Sequence, residues 1–73
     1  MIITIENTIE GEELLNVNKD DFLNLYRDGY DLTYLVNNNT NSKKIVFEFE
    51  DINKRDIAYD KIKEALIEKK DIL

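Results

Sequence analysis

The sequence predicts an α+β fold: a four-stranded antiparallel sheet with two helices on one face, in the order ββαββα. Three observations carry this reading. Residues 1–7, 30–36 and 44–50 alternate in apolar and polar character and are rich in β-branched and aromatic side chains, the signature of strands. Residues 53–70 carry an apolar stripe at helical spacing. The 73-residue chain contains no Pro and only two Gly, Gly11 and Gly29, so no linker divides it and residues 1–73 read as one small domain. An antiparallel β-meander closed by a single C-terminal helix is the alternative. The choice turns on residues 18–28.

Residues 1–7 place Met1, Ile3 and Ile5 on one face, and Ile2, Thr4 and Glu6 on the other. Glu10-Gly11 marks a turn, and residues 14–17 return as a second strand with Leu15 and Val17 facing one way. Residues 18–28 admit two readings. As a strand, they would join Tyr30–Val36 through a hairpin turn at Asp28-Gly29. As a helix, Asn18 is the N-cap, Asp20 and Asp21 occupy the first turn, and Gly29 is the stop. Phe22, Leu25 and Tyr26 then share one stripe at i, i+3 and i+4. The strand reading puts bulky apolar groups on both faces, with no β-branched residue from Phe22 to Arg27, so the helix is preferred.

Tyr30, Leu32, Tyr34 and Val36 point to one face of the next strand, while Asp31, Thr33 and Leu35 point to the other. The polar run from Asn37 to Ser42 reads as a six-residue loop leading to a strand with Ile45, Phe47 and Phe49 inward. In the final helix, Asn53 is the expected N-cap, with Asp56 three residues on and Ile52 and Ile57 spaced as a hydrophobic staple. Ala58, Ile62, Ala65 and Leu66 form its buried stripe, and Lys69 and Lys70 complement the dipole in its last turn.

A core this small often needs support from disulfides, metals or self-association. Cys and His are both absent, which removes disulfides and the usual zinc ligands. It also removes the commonest general base and the strongest nucleophile, so no catalytic residue and no cofactor or metal site is assigned. Ser42, the single Ser, has Lys43 and Lys44 beside it but sits in a turn-forming run. The paired carboxylates Glu12-Glu13, Asp20-Asp21 and Glu48 with Glu50 read as solvated surface, because charged residues are rarely buried without partners. Glu10, Glu12 and Glu13 could form at most a loose divalent site. No apolar run reaches membrane-spanning length and the first residues lack a basic signal-peptide start, so a cytoplasmic protein is expected. Abundant Ile, Asn and Lys fit AT-rich coding, as in some bacteria and their phages.

The charge is unevenly placed. Residues 1–31 hold eight acids, Glu6, Glu10, Glu12, Glu13, Asp20, Asp21, Asp28 and Asp31, against Lys19 and Arg27. Residues 32–73 hold eight acids and eight bases, so the whole net charge of −6 lies in the first half. An acidic surface repels nucleic acid and steers toward basic proteins. The expectation is therefore a small non-enzymatic interaction protein whose acidic half binds a basic protein surface, such as a nucleic-acid-binding channel. In type, though not by any motif, it is similar to the small acidic inhibitors of phages and mobile elements, the anti-CRISPR and DNA-mimic proteins. A structural or oligomerisation module is the second expectation, with Leu35 and Ile67 as candidate self-contacts in a homodimer. A small-ligand-binding domain is the third, and would need a concave pocket.

Overall fold

A computed structural model of the protein describes residues 1–68. Five antiparallel strands precede one helix: β1 (Ile2–Thr8), β2 (Gly11–Asn16), β3 (Phe22–Asp28), β4 (Asp31–Asn38), β5 (Asn41–Glu48) and α1 (Ile52–Glu68). β1 and β2 form a two-stranded sheet, and β3, β4 and β5 form a three-stranded one in that order. The α+β class is as expected, but the helix expected over residues 18–28 is not there. The arrangement is closer to the meander closed by a single helix, with its strands divided between two sheets.

The register of residues 22–28 shows why this strand carries a helix-like spacing. Phe22 pairs with Val36 and Asn24 with Leu35, so β3 spends one extra residue at a bulge around Leu23. The bulge brings Phe22 and Leu25 to the same inward face, three residues apart, and leaves Leu23 exposed. A bulged strand thus reproduces the i, i+3 spacing of a helix. Phe22 packs on Tyr34 with ring centroids 5.3 Å apart. The capping signal has a similar double meaning. Asn18 Oδ1 accepts from the Asp20 N–H at 3.0 Å, an Asx-turn that starts a loop rather than a helix.

Each hairpin closes on two residues. Gly29-Tyr30 links β3 to β4, with Gly29 at φ 63°, so the turn lies one residue beyond the expected Asp28-Gly29. Tyr30 consequently sits in the turn and is exposed, not inward. Asn39-Thr40 links β4 to β5, with Asn39 at φ 58°. The expected six-residue loop contracts because Asn37 pairs with Ser42 and Asn38 with Asn41. In the first hairpin, Glu6 and Asn7 together oppose Glu12, and Asn7 takes φ 66° at this second bulge.

The core lies between the sheets and α1. Ile5, Leu15, Val17, Leu32, Tyr34, Phe47 and Phe49 are buried from the strand side, and Ala58, Ile62 and Ala65 from the helix. The small Ala58 and Ala65 let α1 lie close to the sheet. The helix starts earlier than expected. Asp51 is the N-cap: its Oδ1 accepts from the Asn53 N–H at 2.7 Å and its carbonyl from the Arg55 N–H at 3.1 Å. A carboxylate complements the positive dipole end, which an Asn at residue 53 would not do. Ile52 and Ile57 are exposed and form no buried staple. The expected last turn at Lys69 and Lys70 lies outside the described residues. No helix among the described residues is long and apolar enough to cross a membrane.

Candidate functional site

The register sorts the outer face of the three-stranded sheet, the one turned away from α1, into rows. Leu25, Tyr34 and Ile45 share the inward face, as do Arg27, Leu32 and Phe47. Between them the outward rows are Asn24–Leu35–Lys44, then Tyr26–Thr33–Val46, then Asp28–Asp31–Glu48. Thr33 is buried in the middle row, flanked by Tyr26 and the half-exposed Val46. The last row sets three carboxylates side by side on three adjacent strands, where like charges repel.

The first hairpin adds to that end. The Ile9 N–H donates to the Glu48 carbonyl at 2.8 Å, which docks the β1–β2 turn against the end of β5. Beside this contact lies an open groove of about 400 Å³, lined by Glu10, Glu12, Glu13, Val46 and Glu48. Glu6 falls in the β1 bulge opposite Glu12. Three separate hairpin segments therefore deliver carboxylates to one end of the molecule.

The nearby guanidinium groups do not neutralise this face. Arg27 lies on the helix side of the sheet, 4.3 Å from the centroid of the Tyr59 ring and 3.4 Å from Asp56 Oδ1. Arg55 donates to Asp56 Oδ1 at 2.8 Å and to the Gly29 carbonyl, tying α1 to the β3–β4 turn. The Arg55 hydrogen bond, assisted by Arg27, holds the Asp56 carboxyl below the usual carboxylate range.

Six of the eight acids expected to form the binding face, Glu6, Glu10, Glu12, Glu13, Asp28 and Asp31, map to the acidic end. Asp20 and Asp21 do not. They sit in the β2–β3 connection, where the Asp21 carbonyl accepts from the Asn37 N–H at 2.8 Å, near the opposite end of the sheet. Asp21 Oδ1 is buried there with no hydrogen-bond partner, close to the phenol of Tyr34. Burial, reinforced by the Asp21 charge and opposed by the Asn18 N–H, pushes the Tyr34 phenol up. Glu48, which the half-and-half tally of charge left in the neutral half, joins both the row and the groove. The signal that would have found it is its outward register two residues after Val46.

Among the described residues, no three acidic side chains converge closely enough to hold a metal ion. The candidate self-contacts are separated: Leu35 lies on the outer face, while Ile67 is on α1. Ile67 borders a second groove, about 230 Å³, lined also by Phe22, Leu25, Tyr59, Lys63 and Leu66 between β3 and the helix. Comparisons with protein-family models, with curated proteins and with solved structures gave no match.

Proposed function

We propose that this chain is a small non-enzymatic interaction protein that binds a basic surface of a protein partner through the acidic end of its sheets. The observation that carries the reading is the shared location of Asp28, Asp31 and Glu48 with Glu10, Glu12 and Glu13. Three hairpins contribute to it, and the adjacent arginines are engaged on the other side. Repulsion within such a cluster lowers stability, so solubility alone is a poor reason to concentrate it. Its complement is a cationic groove of the kind that binds nucleic acid, and occupation of that groove would inhibit its owner.

The test compares two variants with equal changes in charge. One reverses Glu10, Glu12 and Glu13 to Lys. The other reverses the exposed Asp20, Asp60 and Glu64, which lie away from the cluster. Binding to a basic partner recovered from the protein's own cell is measured across a salt series. The cluster variant is expected to lose binding and the salt slope, and the control to keep most of both. Equal losses would leave only a net-charge effect and sink the proposal.

A second reading is self-association through the groove beside Ile67, favoured by its apolar lining and by the exposure of Ile67 and Leu23. Sedimentation of the protein and of Ile67→Glu decides it: a monomer in both removes this reading.

A further inference from the structure

We propose that the basic partner is engaged as an extended segment, which adds as a strand to the free edge of β5 and runs its cationic side chains into the groove of Glu10, Glu12, Glu13 and Glu48. The inference rests on the acidic-face reading and names the conformation of what that face binds. Its independent support is the backbone. β5 pairs only with β4 among the described residues, so its other edge is unpaired. The two-residue turn makes Asn38 and Asn41 a hydrogen-bonded pair, and the alternation of an antiparallel ladder then turns the N–H and C=O groups of Ser42, Lys44 and Val46 outward. Glu48 has the same parity, and its carbonyl indeed accepts from outside the sheet, from the Ile9 N–H. The edge is thus closed at Glu48 and open from Val46 back to Ser42.

The other edge of this sheet is protected. β3 carries the bulge at Leu23, and the Leu25 N–H is taken by Asn24 Oδ1 at 2.9 Å. Between Ser42 and Val46 the ladder to β4 runs without a bulge, and the guards are Lys43 and Lys44, whose charge discourages pairing with a like strand. Edge pairing supplies sequence-independent hydrogen bonds, while side chains on alternate positions supply selectivity. The groove begins where the open edge ends, at Val46. A segment with Lys or Arg opposite Val46, from where it reaches the groove carboxylates, and an acid opposite Lys44 matches the charges along the open edge.

The test uses the full chain and three synthetic probes. The first is a short peptide of alternating Lys and Val, and the second is the same peptide with alternate backbone amides N-methylated. The third replaces the Lys expected opposite Lys44 by Glu. Amide hydrogen exchange and titration are followed for the protein and for Lys44→Pro, which removes one outward N–H without touching the β4 ladder. The expected result is new protection at Ser42, Lys44 and Val46, tighter binding of the third probe, and a loss of about tenfold or more on N-methylation. Lys44→Pro should weaken the unmodified peptide similarly when compared with Lys44→Gln, which removes the charge but keeps the outward N–H. Equal binding of the N-methylated peptide, with loss on reversing Glu10, Glu12 and Glu13, overturns edge pairing and leaves the acidic-face reading standing. Absence of peptide binding, or binding indifferent to those reversals, overturns the inference, and indifference overturns the acidic reading as well.

Discussion

Asp31 occupies the centre of the row Asp28–Asp31–Glu48, so replacing it with Asn should stabilise the protein. The change keeps shape and removes one charge. Paired residues on adjacent antiparallel strands have Cα atoms about 4.5–5.5 Å apart. Two unit charges about 5 Å apart in water repel by about 0.8 kcal/mol, and Asp31 has two such neighbours. With a Debye length of about 8 Å at physiological salt, screening roughly halves the combined effect. Splaying of the side chains into solvent lowers it further, leaving about 0.4–0.8 kcal/mol. At about 1 M salt the Debye length is about 3 Å and only a few tenths of a kcal/mol should persist. For a domain of this size, 0.4–0.8 kcal/mol corresponds to a rise of about 2–6 °C in Tm. Thermal and urea unfolding of the protein, of Asp31→Asn and of the helix-surface control Asp60→Asn, each at low and high salt, measure this. A variant that is neutral or less stable at low salt, or a gain that salt does not diminish, would refute the account of the row as mutually repelling carboxylates.

Other consequences follow from the core and its polar attachments. Phe47→Ala removes a fully buried ring and should cost about 3–5 kcal/mol, most of the total expected for 73 residues, so its denaturant midpoint should collapse toward zero. The Tyr34 phenol is raised by burial, so its unfolded form ionises first as pH rises. Stability should be unaffected below about pH 10 and should fall above it until the folded phenol ionises too, a limb that Tyr34→Phe should lack in alkaline unfolding curves. Asp56 is held low by Arg55, so its contribution is present above the ordinary carboxylate range and is lost as pH falls through its folded-state value. In acid unfolding, Asp56→Asn should be less stable than the parent at neutral pH and should converge with it at the acid end.

The parts of the fold that were legible in the sequence are those where local pattern and tertiary packing agree. The stripe Ala58, Ile62, Ala65 and Leu66 points to one helix face, and the first three residues are buried there. Ile5, Leu15, Leu32, Phe47 and Phe49 alternate as strand residues and are buried on the expected side. Legibility failed where one residue type serves two geometries. Asn18 can cap a helix or close an Asx-turn, and Gly29 can stop a helix or open a hairpin turn, because each role asks for the same local chemistry. What decided between them was the bulge at Leu23, which depends on Val36 and Leu35 opposite and leaves no mark in the segment's own residues. Asp51 displaced Asn53 as the cap for a related reason. Both are good caps, and Asp51 is the one that accepts from the Asn53 and Arg55 N–H groups, while Arg55 ties the first turn to the distant Gly29 carbonyl.

The candidate site shows the same division more sharply. Counting charge along the chain located the acidic excess in residues 1–31, but a sheet sorts side chains by strand register and not by sequence half. Asp28 and Asp31 flank one turn, so the sequence alone brings them together. Glu48 reaches them only because β5 pairs with β4, and Glu10, Glu12 and Glu13 only because Ile9 docks on the Glu48 carbonyl. The same register carries Asp20 and Asp21 away to the Asn37 end. The acidic end therefore exists as a unit only in the folded chain, joined across the two sheets by their shared core and by the Ile9–Glu48 backbone hydrogen bond. If that junction opened, the groove would separate from the row, and a partner spanning both would hold it closed. Binding to the acidic end should then stabilise the first hairpin against the rest of the fold, visible as slowed exchange at the Ile9 amide.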